Sequence, residues 1–273
     1  MMSDVTFGKY YPSESFVHKM DARAKLVLLI LYIVTIFVVK NFYGFLCVAA
    51  FLASALIAAR IPVTKILKSV RAVLFVILLT VILNVFFYTG KTQTVIWSFK
   101  FIKITQEALV FSAFMAIRLV LLVVGSGLLN LTTTPVALTD GIESLLSPLK
   151  VIKFPVHELA LVMSIALRFI PILASEADRI MNAQKARGAD FESGNLISRA
   201  KAMIPVLVPL LVSAFRRADE LGDAMDARCY SGSNVRTKYK KSKFTYRDVV
   251  GALLMLVALA GIIVLNVYAG AAV

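Results

Sequence analysis

Arg187 and Arg228 carry the chemistry in this sequence that is most available to a partner. Each follows an alanine, in Ala186-Arg187-Gly188 and Ala227-Arg228-Cys229, and each closes a long stretch that is apolar at its start and charged at its end. A guanidinium is planar, permanently charged and presents a rigid fork of donors that pairs with carboxylates or carbonyls. Small neighbours on both sides leave each fork unobstructed. The plainer reading needs no partner, because a cation in the last helical turn gains roughly 0.3–1 kcal/mol against the helix dipole. A single arginine would call for nothing more. Two of them, on similar helices and each after alanine, point to tips offered to a groove in a soluble protein.

Two helical patterns must position them. One runs from Pro155 to Arg187 and the other from Leu196 to Arg228, each about 50 Å long at 1.5 Å per residue. Gly188 stands where a helix favours a residue that accepts a left-handed backbone. The second pattern has Cys229 there, with Gly232 shortly after. Pro171 in the first pattern, and Pro205 with Pro209 in the second, are expected to bend the helices because proline removes a backbone donor.

The rest of the chain is a membrane protein. It has 273 residues, 59% of them hydrophobic, and its mean hydropathy is +0.83. Its apolar runs are continuous rather than alternating, so spanning helices are expected and not a barrel. Five segments read as spans: Leu26 to Val39, Phe42 to Ala59, Ala72 to Tyr88, Ala108 to Leu131 and Val249 to Val273. The first follows Lys25, too late and too charged upstream for a cleavable signal peptide. The net charge of +14 is distributed as a topology signal. With the N-terminus in the cytoplasm, Lys9, Lys19, Arg23, Lys25, Arg60, Lys65, Lys68, Arg71 and most basic residues of 132–247 lie inside, as the positive-inside rule requires. The C-terminus is then extracellular, and no nucleic-acid partner is expected. Lys238, Lys240, Lys241 and Lys243 read as a stop signal at the anionic inner leaflet.

The outer loop carries Trp97, Phe99 and Phe101 alternating with Ser98 and Lys100, a pattern that allows a short strand at the headgroup level. Leu159 to Ala174 and Ala202 to Phe215 read as too short to span. The segment joining them, with Arg179, Lys185, Arg187, Arg199 and Lys201, would break the charge bias if it lay outside. Both long helices are therefore read as lying at the cytoplasmic face. The domain organisation is 1–131 with four spans, 132–245 with the long helices, and 246–273 with a last span.

Other polar residues have simpler readings. Arg118, mid-span, must face protein or water, either bonding helix-end carbonyls or serving a partner. Asn84 reads as an interhelical hydrogen bond. His18 and His157 lack ligand companions, and Cys47 and Cys229 have neither metal-ligand spacing nor an evident disulfide. The chain has no G-x-x-x-x-G-K-[ST] phosphate loop, so it is not itself an ATPase. Asp223, Asp226, Ala227 and Arg228 partly match the D-x-x-D-G-x-x-A-R pattern of phospholipid alcohol transferases, but the glycine and the downstream aspartates are missing. A stand-alone secondary transporter would show inverted repeats and interrupted spans, and neither is visible.

The sequence resembles the transmembrane T component of energy-coupling factor (ECF) transporters, importers of the ABC class, and is closest to their shared (group II) type. The matching stretches are 15–26 before the first span, Leu131-Thr132-Thr133-Thr134-Pro135, Ala166-Leu167-Arg168-Phe169-Ile170-Pro171 and the two arginine tripeptides. The family has proline where this chain has Ala22 and glycine where it has Cys229. The resemblance implies an all-α polytopic membrane protein with coupling helices that cross in an X and no cofactor of its own, ATP and magnesium being held by partner ATPases. It implies two such partners, EcfA and EcfA′, contacted by Ala186, Arg187, Gly188, Ala227, Arg228 and Cys229. It also implies a vitamin-binding S component cradled by the helical piece from Val136 to Lys150 and the apolar halves of the long helices. Leu138, Ile142, Leu145, Leu149, Met163, Leu167, Ile170, Leu207 and Leu211 are the expected contacts.

Overall fold

The computed structural model describes residues 10–87, 95–99, 102–152, 154–191, 193, 195–230 and 244–268. Their architecture is helical, with one short hairpin. The helices are α1 (Ala22–Val38), α2 (Phe42–Ala59), α3 (Val63–Phe87), α4 (Gln106–Thr132), α5 (Pro135–Leu145), α6 (Val156–Ala186), α7 (Leu196–Ala227) and α8 (Tyr246–Tyr268). Between α3 and α4, strands β1 (Val95–Phe99) and β2 (Ile102–Thr105) pair antiparallel with Phe99 opposite Ile102. The strand anticipated around Trp97 is thus one arm of a hairpin. The side chains of Trp97, Ser98, Phe99 and Lys103 lie outside the described residues, as do Lys9, Lys91, Lys100, Phe101, Gly232 and the lysines at 238, 240, 241 and 243.

Local chemistry sets the boundaries. Asp21 caps α1 by accepting the Arg23 backbone N–H at 3.1 Å, Thr105 caps α4 through Ala108 at 3.2 Å, and Thr134 caps α5 through Ala137 at 3.3 Å, each satisfying a donor the helix itself cannot. Pro135 follows at the first position of α5, where its missing N–H costs nothing. Four spans start earlier than expected, α1 at Ala22 and α4 at Gln106 among them. α3 begins at Val63, so Lys65, Lys68 and Arg71, taken as loop, form its first turns, because lysine, leucine and arginine are good helix formers whatever their charge says about topology. α8 begins at Tyr246 rather than Val249.

Among the described residues, six helices are long and apolar enough to cross a membrane: α2, α3, α4, α6, α7 and α8. The judgement that α6 and α7 are too short is therefore corrected. Proline interrupts their apolar runs in the sequence, yet α6 continues through Pro171, and α7 through Pro205 and Pro209, to 31 and 32 residues. α1 has 17 residues, about 26 Å at 1.5 Å each, a little less than a core of about 30 Å.

Helices α1–α5 with α8 form one compact unit, and α6 with α7 a second. In the first, Tyr32, Ile36, Phe45, Val48, Leu52, Phe114, Leu121, Met255 and Ile262 make a core among α1, α2, α4 and α8. Tyr32 lies against Gly125 so closely that a Cβ there would fall 2.1 Å from the ring, and its hydroxyl donates to the Leu121 carbonyl at 2.8 Å. An apolar cavity of about 230 Å³ lies beside it, lined by Leu28, Leu29, Leu52, Leu128 and Leu254 among others. α3 packs along α4 and exposes Leu74, Phe75 and Leu78, as a lipid-facing helix does.

Polar side chains close the helix ends of this unit. Lys25, read from sequence only as a topology charge, is buried, and its Nζ donates to the Thr132 carbonyl at the end of α4 (2.9 Å) and to Thr133 Oγ1 (3.3 Å). Asp248, in the first turn of α8, is also buried and accepts the backbone N–H of Asp21 at 2.9 Å and of Thr245 at 2.7 Å. His18 holds the approach to α1. Its Nε2 donates to the Tyr11 carbonyl at 2.8 Å, so Nδ1 accepts from the Ser15 hydroxyl at 2.6 Å while Ser13 reaches the end of α2 at Ala59 (3.2 Å). Burial holds the His18 pKa below the ordinary imidazole value, against the opposing effect of the Tyr11 carbonyl.

Candidate functional site

The ends of α6 and α7 have the same backbone fold. In α6, Gly188 N–H donates to the Lys185 carbonyl at 2.9 Å and Ala189 N–H to the Gln184 carbonyl at 3.0 Å. In α7, Cys229 N–H donates to Asp226 at 2.9 Å and Tyr230 N–H to Met225 at 3.0 Å. This is the Schellman closure, in which two backbone bonds satisfy carbonyls that the helix leaves open. Arg187 and Arg228 occupy the same cap position in each.

The residue after each arginine is left-handed, with φ +90° at Gly188 and +56° at Cys229. Glycine takes that conformation freely, whereas a residue with a Cβ pays about 1–2 kcal/mol for it. The departure at Cys229 therefore changes the energy of the second tip and not its shape. Ala186, Arg187, Gly188, Ala227, Arg228 and Cys229 are all exposed. Among the described residues neither Arg187 nor Arg228 has a side-chain hydrogen bond or ion pair. The backbone closes each helix by itself, and the guanidinium is left for something else.

Upstream of the tips, α6 and α7 pack against each other. There Glu176 of α6 faces Ser213 and Arg217 of α7. Glu176 Oε1 accepts from Ser213 Oγ at 2.5 Å and Oε2 from Arg217 Nη2 at 2.8 Å. None of these three was singled out from sequence. The signal available was their spacing, because Arg187 follows Glu176 by 11 residues and Arg228 follows Arg217 by 11.

The remaining candidates sit apart from the tips. Met163, Ile170, Leu207 and Leu211 are exposed on the apolar halves of α6 and α7, and Leu167 is half-buried. Ile142 and Leu145 are exposed on α5, in the other unit, and Leu138 is half-buried there. The Leu149 side chain lies outside the described residues. Arg118 donates through Nη2 to the Val39 carbonyl, at the end of α1, at 3.3 Å. Its guanidinium lies 5.3 to 6.0 Å from the ring centres of Phe114, Phe37 and Phe45, close enough for cation–π attraction. Asn84 makes no hydrogen bond among the described residues. Among the described residues no group of three or more His, Cys, Asp or Glu side chains could hold a metal ion.

The site thus consists of two exposed helix ends tipped by arginines that are unpaired among the described residues, in a polytopic helical membrane protein. The chain belongs to the CbiQ family, described as cobalt transport protein, whose model matches residues 13–239. It is 48% identical over 257 residues to the energy-coupling factor transporter transmembrane protein EcfT of Clostridium kluyveri, covering 94% of this chain and 95% of that one. It is 48% identical to EcfT of Ruminiclostridium cellulolyticum (97% and 98% covered) and 43% identical to EcfT of Bacillus subtilis (95% and 98%). The resemblance to the transmembrane component of ECF transporters thus holds over nearly the whole chain.

Proposed function

We propose that this chain is the scaffold and energy-coupling subunit of an ECF importer, carrying movement from two cytoplasmic ATPases to a vitamin-binding S component. One observation carries the reading. Two helices that meet at a polar contact end in identical closures, each leaving an arginine exposed and unpaired among the described residues. A buried interface groove lined by carboxylates or carbonyls is the natural receptor for such a fork. ATP binding draws the ATPases together, the keyed tips follow, and the helices shift against each other. The S component, resting on the exposed apolar halves, then reorients and releases its vitamin inward.

The chain itself does no chemistry, ATP and magnesium being bound by its partners. α6 and α7 lie along the cytoplasmic face of a bacterial cell membrane, with the N-terminus inside and the C-terminus outside. The charge of the segment joining their apolar halves supports this placement, even though both helices are long enough to cross. On the resemblance of its long helices, we place it in the shared type that serves several S components.

The test is Arg187→Ala combined with Arg228→Ala. The double variant is expected to insert and purify normally but to lose both ATPases, and with them uptake of the vitamin carried by the co-purified S component. Retention of both ATPases together with normal uptake would overturn the proposal. Several S components recovered with the tagged native chain would support the shared type, and a single one would refute it.

A further inference from the structure

Two cationic tips serve a pair of partners together only if something fixes the span between them. We infer that the contact of Glu176 with Ser213 and Arg217 is a positioning clamp that sets the spacing of the two arginine tips, so that both engage their partners at once. The inference rests on the assignment of the tips as ATPase contacts.

The chemistry of the contact suits the role. Ser213 and Arg217 are four residues apart on α7 and so share one helix face. Each takes a different oxygen of the same carboxylate, at 2.5 and 2.8 Å. A single ion pair is a swivel, whereas two donors on two oxygens fix the carboxylate plane and resist rotation of one helix about the other. Both charged partners are partly exposed, with Arg217 at 37% and Glu176 at 24%. Pairs this open to water contribute little to stability, so geometry is what the contact supplies.

Spacing ties the clamp to the tips. From Glu176 to Arg187 is 11 residues, and from Arg217 to Arg228 is 11. Each arm therefore extends about 16 Å past the clamp, and 11 residues is within about 20° of three whole turns. The two arms are equal in length, and each tip arginine lies nearly in phase with the residue that anchors its arm. A change of angle at the clamp then moves both tips by the same amount. Linked sites whose span matches their partners bind far more tightly than either alone, and that gain vanishes when the geometry is lost.

Spin labels at Asn182 and Asp223, both exposed and each five residues before its tip arginine, read the span in the full chain. A Cys47→Ala, Cys229→Gly background prevents labelling elsewhere. The native chain should give one narrow distance, Glu176→Gln a broad distribution, and Glu176→Arg combined with Arg217→Glu a narrow one again. Binding of the purified ATPase pair should weaken about tenfold in Glu176→Gln, as expected when linked binding is lost. In an Arg228→Ala background only one tip can engage, so Glu176→Gln should add nothing there. An unchanged distance distribution in Glu176→Gln would overturn the clamp, as would an equal further loss in the Arg228→Ala background. If Arg228→Ala itself leaves ATPase binding intact, the tip assignment fails, while the distance measurement still decides the clamp.

Discussion

Helices of the two units end in different ways. In the unit of α1–α5 and α8, the ends of α1 and α4 are closed from outside. Lys25 of α1 donates to the last carbonyl of α4, and Arg118 of α4 and Asn266 of α8 donate to the Val39 and Val38 carbonyls ending α1 (3.3 and 2.8 Å). In the unit of α6 and α7, each end is closed by its own backbone, and the cation beside it is unused. Side chains from neighbouring helices thus close these ends in one unit, whereas in the other Arg187 and Arg228 stand exposed and, among the described residues, unpaired. An arginine near a helix end is only informative once the question of who satisfies the carbonyls is answered.

The comparison can be broken most directly at the tips. Arg187→Ala and Arg228→Ala, tested singly, should each weaken ATPase binding by at least about thirtyfold, the scale of a hot-spot arginine, with no measurable change in thermal stability. Unequal losses would show that Cys229 alters more than the energy of its tip. Lys25→Met should do the reverse. It leaves the buried Thr132 carbonyl without its charged donor, costing about 1–3 kcal/mol, visible as a lower unfolding temperature in detergent with ATPase affinity unchanged in the folded fraction.

A smaller effect sharpens the likeness of the two ends. Gly188→Ala should loosen the last turn of α6 and Cys229→Gly tighten that of α7, each by about 1 kcal/mol from the left-handed backbone alone, read by amide hydrogen exchange at residues 187–189 and 228–230. The smallest effect lies at His18. Its folded pKa is depressed below 6.5, so its contribution to stability is fully present above the unfolded value near 6.5 and is lost as pH falls through the folded value. Acidification below pH 6 should therefore release residues 11–18 to proteolysis before the helices melt, and His18→Asn should remove that dependence.

Much of the fold was legible in the sequence because apolar runs, caps and prolines act locally. The ends of α6 and α7 were placed within one residue by the two arginine tripeptides, and the start of α5 by Pro135, though α5 stops at Leu145 and not at Lys150. What was not legible depends on register between helices. Nothing in the sequence says that residue 176 of one helix meets residues 213 and 217 of another, although the repeated spacing of 11 was there to be seen. Lys25 and Asp248 were hidden for a related reason, since a charge beside a span reads as a topology marker until a carbonyl or amide from a distant helix is brought against it. The start of α3 was misplaced because charge was taken as loop, when lysine and arginine are no obstacle to a helix.

Gly125 has a consequence for how the molecule can move. The space for its missing methyl is already filled by the Tyr32 ring, 2.1 Å from where a Cβ would stand. Sliding α4 along α1 by one turn, about 5.4 Å, would bring Leu121 or Leu129 onto that ring, where a side chain has no room. The absence of one carbon thus acts as a detent, locking these two helices in register. Whatever rearrangement accompanies transport, α1 and α4 travel through it as one piece.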